Sequence, residues 1–325
     1  MRSQDFQRMQ DKLTIAIPVF NFDASQLIEA LCSEIEEARL NEAIELVIID
    51  DGSTELTPKN ANIKALERYP RIVSKHIEFE HNFGRAQARN MGIEQGEGGY
   101  LLFLDADMLP DSSQFLRNYL QVIWRGGWDV VCGGISYRQI GEVKGPYRLY
   151  QYLSASTDVV PATKRNVLPW KHILTSNVLV KWTVANEVPF DDRFNTWGYE
   201  DLDWGIRLVT GGYKVLHIDN TCTHLGLVPK DVLLARTKAS VKNYTLLASK
   251  HPAFFKETRI FGATRFLGYL SPRVLGFLSR MISRVLNSRG LGYKVQYVVL
   301  QFGKAVWLTS ELKTQGLVGR PRCER

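Results

Sequence analysis

Apolar runs and amphipathic stretches alternate along the first two thirds of the chain. Leu13–Val19 (LTIAIPV), Ile44–Ile49 (IELVII), Ile72–Phe79 and Tyr100–Leu104 read as strands, short and bounded by polar or turn-forming residues. Between them, Ser25–Leu40 places Leu27, Leu31 and Ile35 on one helical face. Pro58–Tyr69 and Arg85–Gln95 read as further helices, the second stopped by Gly96. The pattern then predicts a helix over 111–125, a strand over Val130–Ser136 and an irregular stretch of loops and short helices over 137–172. A strand over Thr175–Val180, a helix over Glu200–Val209 and a last strand over Lys214–Ile218 follow. Strands alternating with helices predict an α/β fold, Rossmann-like, with a mainly parallel sheet and flanking helices. Ligands of such sheets sit at the carboxyl ends of the strands. Asp50 and Asp51, and Asp105 and Asp107, fall at such ends.

Composition adds limits. The 325 residues are 45% hydrophobic and 23% charged, a globular balance with room for one large domain and an extension. Cys32, Cys132, Cys222 and Cys323 are far apart and form no CxxC pair, so neither a zinc knot nor a disulfide framework is expected. The first residues, MRSQDFQRMQDK, hold no apolar signal core, and no stretch reaches roughly 18 uninterrupted apolar residues. A cytoplasmic protein is the expectation. The net charge of +7 is lopsided: residues 256–325 carry thirteen Lys or Arg against three acidic residues, which leaves the rest of the chain at −3. No nucleic-acid recognition motif accompanies these basic residues, so nucleic acid is not an expected partner.

Five segments carry candidate chemistry. Asp105 and Asp107, spaced i, i+2 at a strand end, can face one point and, with a diphosphate, hold a hard cation such as Mg²⁺ or Mn²⁺. Asp51, before Gly52, can accept a hydrogen bond from a base or ribose. Asn82-Phe83-Gly84-Arg85 leads into a helix whose Arg85 and Arg89 share a face, which suits a diphosphate or ribose at a helix N-terminus. In Trp197-Gly198-Tyr199-Glu200-Asp201, aromatic faces can stack on a sugar, Glu200 can bind acceptor hydroxyls and Asp201 can take a proton. Dipole preference at a helix N-terminus accounts for the two acids but not for the Trp-Gly-Tyr before them. His224 is a candidate third metal ligand, with His217 as its competitor.

Together these motifs resemble the family-2 glycosyltransferases of GT-A fold. The matching residues are Ile17-Pro18-Val19-Phe20-Asn21, Asp50-Asp51-Gly52-Ser53, Asn82-Phe83-Gly84 with Ala88-Arg89-Asn90, Leu104-Asp105-Ala106-Asp107 and Trp197-Gly198-Tyr199-Glu200-Asp201. The resemblance covers roughly residues 12–226 and implies a GT-A domain over 12–230 with a basic, mostly helical extension over 231–325. It implies that Pro18 and Phe20 line the base pocket and that Asp51 contacts the base, commonly uracil. Asp105 would face the ribose and the metal, Asp107 would bind the metal directly, His224 would complete it, and Asp201 would be the general base. The Trp-Gly-x-Glu-Asp form resembles galactosyl- and N-acetylgalactosaminyltransferases, chondroitin-polymerase-like domains among them, and points to a UDP-linked hexose or N-acetylhexosamine donor. The function expected is metal-dependent, inverting transfer from a nucleotide-sugar to a glycan or lipid-linked glycan acceptor. The alternative is a sugar-nucleotide-binding or nucleotidyltransferase protein without glycosyl transfer. No Q/RxxRW motif follows residue 226, so a processive synthase with its own membrane channel is not expected.

Residues 256–286 interleave Arg259, Arg265, Arg273, Arg280 and Arg284 with aromatic and aliphatic residues, as one or two amphipathic helices broken at Pro272 would. Such helices lie peripherally on the inner membrane face, pack their apolar side on the core, or form a dimer contact.

Overall fold

A computed structural model of the chain describes residues 12–317 except 97 and 289; the side chain of Arg259, and Cys323, lie outside the described residues. The chain divides into two compact units. Of the described residues, the first comprises those up to Gly141, Thr157–Asn195 and Glu200–Gly226; the second comprises Glu142–Ser156, Thr196–Tyr199 and those from Leu227 onward.

The first unit is built on a seven-stranded sheet. Its strands are β1 (Leu13–Val19), β2 (Ile44–Asp50), β3 (Val73–Glu78), β4 (Tyr100–Leu104), β6 (Val130–Cys132), β8 (Asn177–Lys181) and β9 (Val215–His217), in the order β3-β2-β1-β4-β8-β6-β9. β3, β2, β1 and β4 run parallel; β8 is antiparallel to both its neighbours; β6 and β9 pair in parallel. Every residue of β2 is buried, as a central strand covered on both faces requires. β3 lies at the edge and is polar and partly exposed.

Alternation along β1 feeds two cores. Leu13, Ile15 and Ile17 face α1 (Ser25–Ala38) and α4 (Phe115–Arg125). Ala16 faces the other way, toward Phe103, Phe190 and Trp204. α1 is tied to α4 by Glu34, whose buried carboxylate accepts the amides of Leu116 and Arg117 in the first turn of α4. Those amides have no partner within their own helix, so the carboxylate supplies one.

Two departures from the sequence pattern shape the site. The apolar run 130–136 is not one strand: it breaks at Gly133-Gly134, where Gly134 has φ +84°, and continues as β7 (Ile135–Ser136) in a second sheet. That sheet also holds β5 (Met108–Pro110) and β10 (Cys222–His224), in the order β5-β10-β7. Thus Lys214–Ile218 does not contain the last strand, and His224 stands on a strand rather than in a loop. The helix expected from residue 111 begins at Phe115. Asp111 instead accepts the hydroxyls of Ser136, Thr221 and Thr223, which knits the small sheet together and holds its carboxyl low despite burial.

The second unit is helical. α5 (Arg148–Thr157), α9 (Lys230–Lys250), α10 (Pro252–Lys256), α11 (Arg259–Leu267), α12 (Pro272–Asn287) and α13 (Tyr293–Thr314) enclose Leu149, Leu153, Leu233, Leu275, Ile282 and Leu300. The expected break at Pro272 is present: Pro272 opens α12, where a missing N–H is tolerated, and Ser271 caps it by accepting the amide of Val274. No helix among the described residues is long and apolar enough to cross a membrane.

Candidate active site

The strand order places a switch point beside β1. The chain moves outward from β1 to β2 and β3, then returns to β4 on the other side. The carboxyl ends of β1 and β4 therefore diverge into a crevice, the usual ligand position in open α/β sheets. Asp105 and Asp107 follow β4 directly.

A tight turn holds this pair. The amide of Asp105 donates to Ser176 O at 3.2 Å, and the amide of Met108 donates back to Asp105 O at 3.1 Å. β10 then pairs antiparallel with β5, His224 opposite Met108. That register sets His224 Nε2 3.3 Å from Asp107 Oδ2, with Tyr137 Oη 3.3 Å from its Nδ1. Asp107 Oδ1 is buried and has no hydrogen-bond partner among the described residues. A buried carboxylate oxygen left without a partner is unfavourable by about 1–3 kcal/mol or more, and a cation is the partner that a hard anionic oxygen and an imidazole nitrogen share. Among the described residues no three His, Cys, Asp or Glu side chains form a group that could by itself hold a metal ion. The residues fit a divalent ion whose other ligands are phosphate oxygens and water, and they do not form a closed structural metal site.

His217 is held elsewhere. Its Nδ1 lies 2.9 Å from Arg165 Nη1 and its Nε2 3.1 Å from Pro169 O. Burial and the Arg165 charge push the ring down to about 4, so it stays neutral at the centre of a structural contact.

Arg89 organises the other side. The side chain, on α3 (Arg85–Gln95), is 1% exposed. It meets Asp105 at 2.8 Å, Glu200 at 3.4 Å and Asp201 at 3.7 Å. Burial alone disfavours all four charges. The three carboxylates outweigh that for Arg89 and raise its pKa, while Arg89 and Arg85 outweigh it for Asp105 and lower its pKa. Asp201 goes the other way. Burial, then the Glu200 charge, push it up to about 6, against the opposing pull of Arg89 and of the Thr175 hydroxyl bonded to its Oδ1. About a quarter of the Asp201 side chain remains exposed, so solvent reaches it. Glu200 Oε2 is buried without a partner among the described residues, which leaves an acceptor for a ligand hydroxyl. Arg89, paired with Arg85 in the sequence as a donor contact, is thus enclosed among carboxylates, whereas Arg85 is half exposed and 4.0 Å from Glu200.

The motifs expected on the nucleotide side form one loop cluster. Asp51 accepts the amides of Phe83 at 2.7 Å and Gly84 at 2.9 Å, and burial raises its pKa. Gly52 has φ +73°, and a side chain there would strike the His81-Asn82 backbone. Asp50 accepts Ser53 N, and Asn21 binds Thr54 N and Glu55 N, closing the Asp-Gly-Ser turn on the end of β1. Phe20 is 47% exposed, a ring free at the end of β1, and Pro18, two residues before it, is partly buried.

The Trp-Gly-Tyr-Glu-Asp segment is divided. Glu200 and Asp201 open α8 (Glu200–Thr210) in the first unit; Trp197, Gly198 and Tyr199 belong to the second. There Asn243 donates to Thr196 O and Gly198 O, and the Tyr199 ring stacks on Tyr244 at 4.5 Å and 12°. Gly198 and Tyr199 both have positive φ, a sharp turn that Gly tolerates and Tyr keeps only because these contacts hold it. Trp197 is half-buried.

Several contacts escaped the sequence reading. Trp204 stacks on Phe190 at 4.8 Å and donates to Val188 O; Asn90 clasps the backbone of Phe190 on both sides; and Arg89 lies 5.7 Å from the Phe190 ring. This aromatic floor fixes Arg89. Trp204 follows the acids on the helix and was the available signal. Thr175 and Gly226 gave none. A Cβ at Gly226 would overlap the Asp107 carboxylate, so any larger residue there must push that carboxylate aside.

Comparisons with known proteins agree with this fold. Residues 14–173 match the family described as Glycosyl transferase family 2. The chain is 27% identical over 209 residues to glycosyltransferase AglE of Haloferax volcanii, an alignment covering 62% of this chain and 63% of that protein's length. It thus spans a little under two thirds of that relative. The fold is similar to that of the mannosyltransferase PcManGT from Pyrobaculum calidifontis in complex with GDP-Man and Mn²⁺, with a TM-score of 0.56 at 18% identity over 96% of this chain and 92% of that one. It is also similar to glucosyl-3-phosphoglycerate synthase from Mycobacterium tuberculosis in complex with Mn²⁺, UDP and glucosyl-3-phosphoglycerate, with a TM-score of 0.52 at 16% identity over 76% of this chain and 82% of that one. With its GT-A sheet and the acidic turn at the end of β4, the chain carries, over residues 14–173, a glycosyl transferase family 2 domain.

Proposed function

We propose that this protein transfers a hexose or N-acetylhexosamine from a nucleotide-sugar, UDP-linked, to the hydroxyl of a glycan or lipid-linked glycan acceptor, with inversion, in glycan biosynthesis. The GT-A domain would be residues 12–230. The observation that carries the reading is the pairing of two features in one crevice: the unpartnered Asp107 oxygen beside His224, and Asp201 raised toward neutrality.

Pro18 and Phe20 would hold the base, with the Asp51-braced loop at Gly84 and the half-exposed Arg85 on the ribose and diphosphate side. Asp107 and His224, with Asp105 beside them, would hold Mn²⁺ or Mg²⁺, which when bound takes up the charge of the departing diphosphate. Asp201 receives the proton of the attacking hydroxyl on the carboxylate oxygen not engaged by Thr175. Glu200 Oε2 positions that acceptor, and Trp197, Gly198 and Tyr199, just before it in the chain, form the acceptor loop. Arg89 holds Asp105, Glu200 and Asp201 at close range and so fixes the base. One displacement from the face opposite the diphosphate inverts the anomeric centre; orientation and fixed charges supply most of the acceleration. A nucleotide-binding protein without transfer would have no use for a base with a raised pKa, and this favours the transferase over that alternative.

The binding half is tested by calorimetry with UDP, GDP and dTDP in the presence of Mn²⁺ and in EDTA. Tight binding of UDP only with the metal, lost in Asp107→Asn, is expected; equal binding in EDTA contradicts the metal site. Gly226→Ala, which forces the Asp107 carboxylate aside, is expected to weaken Mn²⁺ affinity about 10–100-fold, in the range of changes that disorient a metal ligand. Unchanged affinity in that variant removes Asp107 from the ligand set.

A further inference from the structure

From Thr258 to Ser310 the chain contains no Asp or Glu and eight Lys or Arg. Within this stretch α12 is amphipathic in an unusual sense. Leu275, Ile282 and Leu286 are buried in the helical core. The opposite face is not simply polar: Arg273, Phe277, Arg280, Met281 and Arg284 lie within about a third of the helix circumference. Phe277 is 56% and Met281 39% exposed. α13 packs against α12, with Trp307 donating to Ser279 and Gly303 admitting Ile282. It exposes its own apolar row, Val295, Val298 and Phe302, at i, i+3 and i+7. Phe266 and Tyr269, at the end of α11, are about three quarters exposed.

We propose that this face of the helical unit rests on a lipid bilayer that carries anionic headgroups. Exposed Phe, Met and Val rows over three helices are unfavourable in water and gain by entering the headgroup–acyl boundary. Arginines interleaved on the same arc reach back to lipid phosphates with their guanidinium groups while their stems stay in apolar surroundings. The absence of any acidic residue in the stretch removes the repulsion that would otherwise oppose approach to an anionic surface. A protein partner would need acidic groups placed against each arginine; a bilayer supplies mobile phosphates wherever they are required. Since no described helix can span, the contact is one of lying on the surface. The inference does not depend on the transfer reaction.

The test is flotation of the full chain with vesicles of phosphatidylcholine alone or mixed with phosphatidylglycerol, without nucleotide. Expected is binding to the mixed vesicles, weakened by salt and near absent on phosphatidylcholine. The triple variant Arg273→Gln, Arg280→Gln, Arg284→Gln should lower partitioning about a hundredfold, given the electrostatic contribution of each basic residue near such a surface. Phe277→Ser with Met281→Ser should lower it even at low salt. All five side chains are exposed, so both variants should match the native far-UV spectrum and melting temperature. The proposal is overturned if mixed vesicles fail to float the protein or if neither variant changes binding. It is equally overturned if the protein self-associates through Phe277 without binding vesicles, which would make the face an interface between copies.

Discussion

Asp201→Asn is expected to lower kcat about 10²–10⁴-fold, the usual contribution of a general base, while donor and metal affinity stay at the native level. The asymmetry follows from geometry: Asp201 contacts Thr175 and Arg89 and takes no part in the Asp107–His224 pair. Its raised pKa sets a pH signature as well. Because burial and Glu200 push Asp201 up to about 6, it is ionised and competent above that pH and protonated below it. Turnover in the native protein should therefore fall as pH drops through about 6, in step with the ionised fraction, and the variant should lose that limb of the profile. The same shift predicts the sign of the stability change. A carboxyl whose folded pKa lies above its unfolded value destabilises the fold once it ionises. Asn removes that charge, so the variant should melt no lower than the native protein at neutral pH. A variant that melts much earlier would indicate collapse of the site rather than loss of a proton acceptor.

Arg89→Ala should be the most damaging substitution for the fold. It leaves Asp105, Glu200 and Asp201 close together without their cation, and breaking a buried charge pair by removing one partner destabilises by about 3–5 kcal/mol. For a unit of this size that corresponds to a fall in Tm on the order of 10 °C. Arg89→Lys should recover only part of the loss. A lysine keeps the charge but cannot present the planar fork that reaches Asp105 with one nitrogen and Glu200 and Asp201 with the other. Differential scanning calorimetry at neutral pH measures both. Below the pKa of the carboxylates the gap between native and Arg89→Ala should narrow, because protonation relieves the repulsion that the substitution exposes.

Much of this fold was legible in the sequence, for a physical reason. β1, β2 and β4 are buried on both faces, so they read as apolar runs, and the acids at the ends of β2 and β4 stand out as sharp changes of polarity. α1 and α4 bury one stripe, so their helical period shows. The small sheet was not legible. β5 and β10 have three residues each, too short for any period, and their pairing depends on residues more than a hundred positions apart. His224 could be singled out by its chemistry, but not its strand, and the choice over His217 rests on Arg165, four of whose five contacts come from distant segments. The role of Arg89 was hidden similarly. Its spacing from Arg85 suggested a shared outward face, whereas long-range approach of Glu200 and Asp201 turned it into the buried centre of a charge cluster. The helical unit was foreseen only in outline, because α9 and α13 contribute buried residues around much of their circumference and lack a clean polar face.

The central claim is that one crevice combines a metal-dependent leaving-group site with a separate proton acceptor. It is tested most directly by following nucleotide release from UDP-, GDP- and dTDP-sugars with Mn²⁺, with EDTA, and in Asp107→Asn and Asp201→Asn. The account predicts release from a UDP-sugar that EDTA and Asp107→Asn abolish through lost binding, and that Asp201→Asn slows with binding intact. Release that is indifferent to EDTA and equally fast in Asp201→Asn would contradict it.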